Sequence, residues 1–385
     1  MKKFLIGFIS FFILISSTNA LEVNSQRAVL YNLNDNTIVY EKNKDEITSI
    51  ASLTKIMTTL VAIENIKELD NNVTITNDML KGLKEANASV AGLKLNQKVT
   101  YRDLLYGTFL ASGADAARGL ALSISGSEDK FVELMNKKAK DLGLAKTVFT
   151  NTTGLDYKTQ SSTVDEVAKL LKTSLENKTF KEIFYAKSYT FSDKSITVYS
   201  TLYKTATYYK LNADNILGGK TGYTTNAGRC LASVAYDSVN DITYLLVTTN
   251  APINNGEHVK DAVRIYEYYF ENYKYHNLVD KNDLLVTLNT KYVKEKEISF
   301  KAKEDVKAYL DNTFDKKDVK LTYKGLDIIN AGLKKGDVVG KITVSYKDKD
   351  YKTIDVVLDN DVKFSIIEFI KVNIMVISIA LVVII

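Results

Sequence analysis

The stretch Ala51-Ser52-Leu53-Thr54-Lys55-Ile56-Met57-Thr58 begins a run, Ile50 to Glu64, that is apolar nearly throughout. Leu53, Ile56, Met57, Leu60 and Ile63 recur at helical spacing. That predicts a helix in the middle of a domain, not on its surface. Ser52 and Lys55 lie three residues apart, so a hydroxyl and an amine share one face of this helix. Apolar surroundings lower the pKa of a lysine toward the free amine, which can take a proton from a hydroxyl. A second Ser-x-x-Lys, Ser127-Glu128-Asp129-Lys130, sits among acids and reads as a helix cap.

Working outward, the next informative segment is Lys220-Thr221-Gly222, at the edge of a predicted strand. Lys-Thr occurs at seven places in the chain, and only this one is followed by glycine. A residue without a side chain there lets a substrate backbone approach closely. Between the two motifs lies Ser112-Gly113-Ala114, a hydroxyl at a break in a helical pattern. Together these residues suit a serine nucleophile activated by lysine. Competing schemes lack their parts. The two histidines, His258 and His276, come late and are expected at the surface or between domains. No Gly-x-Ser-x-Gly elbow, no His-Glu-x-x-His cluster and no phosphate-binding loop is present. No cofactor or metal is called for.

Two folded domains are expected from 385 residues with 45% hydrophobic content. Arg27 to Glu41 alternates and breaks at Asn34-Asp35-Asn36, a β-hairpin pattern. Helices are predicted over Val99–Leu122, interrupted at Ser112-Gly113, and over Ser127–Leu142, Thr163–Leu175 and Glu257–Tyr273. Strands are predicted over Ile216–Gly222, Arg229–Tyr236 and Ile242–Thr249. Helices flanked by strands at both ends give an α/β (α+β) sandwich whose first and last strands share a sheet. From Asp280 to Lys363 short alternating segments predict a small all-β domain.

The termini speak of location. Lys2-Lys3, an apolar Phe4–Ile15 and Thr18-Asn19-Ala20 form a secretory leader, residues 1–20. The chain from Ile366 to Ile385 carries only Glu368 and Lys371 as charges. A 20-residue helix is about 30 Å long, so a C-terminal membrane helix over 364–385 is expected, spanning the bilayer or lying on it. The net charge is +5, or +3 without the two leader lysines, too small and dispersed for nucleic acid. One cysteine, Cys230, leaves no internal disulfide.

The order Ser52-x-x-Lys55, Ser112-Gly113-x, Lys220-Thr221-Gly222 resembles the penicillin-binding and serine β-lactamase superfamily. Ala51–Thr58, Asn151-Thr152-Thr153-Gly154-Leu155-Asp156 and Lys220-Thr221-Gly222-Tyr223-Thr224 with Ala227-Gly228 are similar to its D-alanyl-D-alanine carboxypeptidases, the S11 peptidases. Leu333–Lys341 is similar to their C-terminal domain. The resemblance implies a serine β-lactamase/transpeptidase-like domain over 21–275, an all-β sandwich domain over 276–363 and the membrane anchor. It implies that Ser52 attacks the carbonyl between two terminal D-alanines of a peptidoglycan stem peptide while Lys55 accepts its proton. Ser112 and Lys220 would relay a proton to the departing D-alanine, and Thr221 would bind its carboxylate. The Ser52 and Tyr223 amides would hold the oxyanion, with Gly222 between. β-Lactams would be covalent inhibitors. Location would be the outer face of the cytoplasmic membrane.

One departure matters: the family's middle motif ends in Asn, and here that position is Ala114. An Asn would hydrogen-bond the substrate peptide and hold the lysine. Two alternatives follow. One is a β-lactamase of the same fold, disfavoured because the Asn151–Gln160 loop offers Asp156 and no glutamate. The other is a catalytically weak wall-binding or scaffold protein.

Overall fold

The computed structural model describes residues 21–156 and 160–374. The expected leader, 1–20, lies outside these residues, as do positions 375–385 of the expected membrane helix. The chain divides into two compact units between Phe270 and Glu271.

The first unit begins with the hairpin β1 (Arg27–Asn32) and β2 (Thr37–Lys42), followed by α1 (Thr54–Asn65). Next come β3 (Asn72–Thr74), α2 (Asn77–Leu80) and β4 (Lys98–Thr100), then α3 (Tyr101–Phe109), α4 (Ala114–Ser125), α5 (Glu128–Asp141), α6 (Val164–Ser174) and α7 (Lys178–Tyr185). The hairpin β5 (Ser188–Thr190) and β6 (Thr197–Tyr199) precedes α8 (Thr201–Tyr208). Strands β7 (Ile216–Thr224), β8 (Gly228–Asp237) and β9 (Ile242–Ala251) and helix α9 (Glu257–Asn272) complete it.

One five-stranded sheet, in the order β2-β1-β9-β8-β7, organises the unit. The first hairpin joins the last strand, with Leu30 opposite Leu246 in antiparallel register, as the strand-helix-strand pattern predicts. That order leaves β7, the strand carrying Lys220-Thr221-Gly222, at an edge with one side unpaired. Helix α1 lies in the core: its residues from Thr54 to Ala62 are all buried. Ile56, Met57, Leu60 and Val61 each contribute about 1.5–3 kcal/mol by leaving water. The helix predicted over Val99–Leu122 is two, α3 and α4, separated at the Ser112-Gly113 break. Thr100 caps α3 by accepting from the Asp103 amide at 3.1 Å, and Ser127 caps α5 from the Lys130 amide at 3.3 Å.

Helices α7 and α8 and the hairpin β5–β6 are additions to the predicted elements. The sequence of α8, Thr-Leu-Tyr-Lys-Thr-Ala-Thr-Tyr, is rich in β-branched and aromatic residues with weak helix propensity. Burial of Leu202 and Ala206 holds it helical.

The second unit is built of strands and one short 3-10 turn up to residue 357. They are β10 (Tyr273–Val279), β11 (Leu284–Lys291), β12 (Glu297–Lys301), β13 (Val306–Asp311), β14 (Val319–Gly325), β15 (Ile328–Asn330), β16 (Val338–Tyr346) and β17 (Lys349–Val357). They form the pair β10-β13 and two three-stranded sheets, β12-β11-β15 and β14-β16-β17. Leu278, Phe300, Ile329, Ile342, Val344 and Val356 lie in a core of their own. Residues 366–374 are helical. Among the described residues no helix is long and apolar enough to cross a membrane.

Candidate active site

Ser52 stands just ahead of α1, in the 3-10 turn Ala51–Leu53. Ala51 has φ +46°, a left-handed conformation that costs an alanine energy and recurs at functional sites. The turn is fixed by the Thr54 hydroxyl, which donates to the Ala51 carbonyl at 2.8 Å. From the first turn of α1, Lys55 reaches back so that its Nζ lies 3.0 Å from Ser52 Oγ. The same amine donates to the Thr153 carbonyl at 2.5 Å. That carbonyl is presented by a local turn. Asn151 Oδ1 accepts from the Thr153 amide, the Thr153 hydroxyl and the Gly154 amide at 3.0, 2.9 and 2.7 Å. Gly154, at φ +80°, presses its backbone against the nucleophile turn. A Cβ there would fall 2.0 Å from the Ala51 carbonyl oxygen.

The second pair comes from the α3–α4 break and from β7. Lys220 Nζ donates to Ser112 Oγ at 2.9 Å and to the Thr221 carbonyl at 2.7 Å. Ser112, buried, also has a left-handed backbone, φ +56°. The Thr221 and Thr201 hydroxyls are 2.6 Å apart. At Gly222 a Cβ would lie 3.0 Å from the Ser52 amide nitrogen, so glycine lets β7 close on the nucleophile turn. Tyr223 points to the exposed side.

Both amines are buried. Desolvation pushes Lys55 down to about 7, opposed in part by the Asp115 carboxylate. Desolvation, then repulsion from Lys55, holds Lys220 well below the ordinary lysine range. Neither forms an ion pair among the described residues. Amines held this low, each touching a serine hydroxyl, can accept and pass protons near neutral pH.

Ser52, Lys55, Ser112, Thr221, Gly222 and Tyr223 line one cleft of about 320 Å³. Lys220 lies behind its wall and reaches the cleft through Ser112. A cavity of about 750 Å³ in the second unit is larger, but its walls at Val293–Phe300 and Leu358–Ile367 carry no comparable pair. The cleft also holds residues that the sequence does not place there: Asn87 and Ser89 from the loop before β4, Thr201, Lys204 and Thr205 from α8, Arg229 from β8 and His258 from α9. Arg229 stands opposite Tyr223 in the β7–β8 register, its guanidinium 4.7 Å from the ring centroid. The hairpin register, once known, names it. Two standing cations, Lys204 and Arg229, and no carboxylate line the cleft.

One expectation needs adjustment. His258 is not a surface histidine: it is 2% exposed, and its Nδ1 has no hydrogen-bond partner among the described residues. Burial and the nearby Arg229 push it down to about 4, so it stays neutral. A 16-residue helix whose apolar stripe includes position 258 explains the burial. Asp156, the carboxylate that the Asn151–Gln160 loop offers where a β-lactamase has a glutamate, lies outside the cleft lining. It accepts from the Thr224 hydroxyl at 2.7 Å, the Ser49 hydroxyl at 3.2 Å and the Asn226 amide at 3.3 Å.

Residues 15–252 match the family described as D-alanyl-D-alanine carboxypeptidase, and residues 273–363 match the C-terminal domain of penicillin-binding protein 5. The D-alanyl-D-alanine carboxypeptidase DacF of Bacillus subtilis is 30% identical over 85% of this chain and 83% of its own length. DacA of Haemophilus influenzae is 29% identical over 89% and 86%. The crystal structure of penicillin-binding protein 5 from Haemophilus influenzae superposes with a TM-score of 0.63 at 28% identity, covering 88% of this chain and 98% of that one.

Proposed function

Because the chain belongs to the D-alanyl-D-alanine carboxypeptidase family, we propose that its Ser52, Lys55, Ser112 and Lys220 divide the steps of one acyl-transfer reaction. The activity is that of a serine-type D-Ala-D-Ala carboxypeptidase. It removes the terminal D-alanine from peptidoglycan stem peptides and is acylated by β-lactams.

Ser52 Oγ attacks the carbonyl carbon between the two D-alanines, and its proton passes to the neutral Lys55 amine 3.0 Å away. Backbone amides of Ser52 and Tyr223 hold the oxyanion of the tetrahedral intermediate. When the C–N bond breaks, the proton that Lys55 accepted is relayed to the departing amine through the Ser112 hydroxyl, which Lys220 holds at 2.9 Å. Water then attacks the Ser52 ester, its hydroxyl going to the acyl carbon of the shortened peptide and its other proton to Ser52 Oγ. Thr221 receives the carboxylate of the leaving D-alanine. The cleft's two standing cations, Arg229 and Lys204, favour a substrate that ends in an anion.

The observation that carries this reading is the buried, deprotonable Lys55 in contact with a hydroxyl at the cleft surface. D-Alanine release from a stem pentapeptide tests it. Ser52→Ala is expected to abolish release, and release undiminished in that variant contradicts the assignment.

The reading extends to location: an exported enzyme held at the outer face of the cytoplasmic membrane by residues 364–385. Its support is the leader pattern of residues 1–20 and the exposure of Phe364, Ile366, Ile367, Ile370, Val372 and Ile374. Apolar side chains left this open suit a lipid surface.

A further inference from the structure

We infer that Asn87 supplies the side-chain carboxamide that grips the backbone of the bound stem peptide, a task Ala114 cannot perform. The inference rests on the carboxypeptidase reading above. Ala114 opens α4 two residues after Ser112 and lines the cleft with a methyl group. A methyl neither donates nor accepts, so this part of the wall offers a peptide no hydrogen bond.

The loop carrying Asn87 is fastened to this same spot. The Ala114 amide donates to the Ser89 carbonyl at 2.7 Å. Asp115, next along α4, turns away from the cleft and accepts from the amides of Ala91, Gly92 and Leu93 at 2.7, 3.0 and 3.0 Å. At Gly113 an added Cβ would fall 2.9 Å from the Ala91 nitrogen, so the backbones meet with no room between them. One carboxylate holding three consecutive amides fixes the loop's height above the cleft.

Asn87 sits in that loop, exposed, and lines the cleft together with Ser52 and Ser112. It is the sole carboxamide among the residues lining the cleft, and its side chain has no hydrogen-bond partner among the described residues. Lysine and arginine only donate, whereas a carboxamide donates and accepts, matching the alternating N–H and C=O of a peptide. The functional group missing from position 114 is thus offered from the loop strapped over it.

Asn87 also has φ +47°, a conformation asparagine tolerates, and this supplies a purely structural reason for the residue. The test must separate the two. Asn87→Gly keeps the left-handed backbone and removes the carboxamide, while Asn87→Asp keeps size and conformation and removes the donor. In the full chain, kcat and KM for D-alanine release from a stem pentapeptide would be measured, with the rate of acylation by penicillin and the melting temperature. Both variants are expected to lose about tenfold in kcat/KM with the melting temperature unchanged. Adding Ala114→Asn to Asn87→Gly is expected to restore most of that loss.

Activity of both single variants within about twofold of wild type overturns the inference. So does an equal loss that Ala114→Asn fails to restore, which assigns Asn87 to loop shape. Wild-type protein that penicillin does not acylate sinks the carboxypeptidase reading itself, and this inference with it.

Discussion

Lys55 gives up the hydration of an ammonium to lie in an apolar helix, and what it gains is a usable lone pair. Its amine is pushed down to about 7 by burial, so acylation by penicillin is expected to fall about tenfold per pH unit below that point. A rate that stays level well below pH 7 would contradict Lys55 as the base. The same burial has a stability consequence of defined sign. Between about 7 and the ordinary 10.5, the unfolded chain binds a proton that the native state refuses. Stability from this group therefore rises with pH across that window. The pairing of Ser52 with Lys55 was legible because a three-residue spacing on a helix fixes proximity. Asn87, Arg229 and His258 were not, because their nearness to Ser52 depends on contacts between segments more than thirty residues apart.

At the scale of elements, the site is assembled by close backbone approach. The Asn151–Gly154 turn, the edge strand β7 and the Ala51–Leu53 turn meet at positions without side chains. Gly154→Ala would place a methyl 2.0 Å from the Ala51 carbonyl oxygen. It is expected to cost roughly 2–4 kcal/mol and to abolish acylation by displacing Ser52. Gly126, at φ +78° with open space around its Cβ position, provides the control. Gly126→Ala should cost only about 1 kcal/mol and leave acylation intact. Equal melting temperatures for the two variants would refute the close-approach argument. The long periodic elements, α1 and the strands β7 to β9, could be read from the chain because burial imposes a period on them. Helix α8 could not, since its Thr- and Tyr-rich sequence favours strand and only packing makes it helical.

For the whole molecule, each unit has its own hydrophobic core. A chain ending at residue 272 is therefore expected to fold and to acylate within about twofold of the full-length rate. Loss of folding on truncation would show that the first unit depends on the second. The change of character from long helices to short alternating strands made two units legible. The pairing order of the second unit, with β11 and β15 parallel, was not, because short strands of similar length admit many registers. All of this serves one claim, that Ser52 is a nucleophile primed by Lys55. The most direct test is the intact mass of the protein after mixing with penicillin. A stoichiometric adduct on the wild-type chain, absent from Ser52→Ala, is the expected result. An adduct that persists in Ser52→Ala, or no adduct on folded wild-type protein, would contradict it.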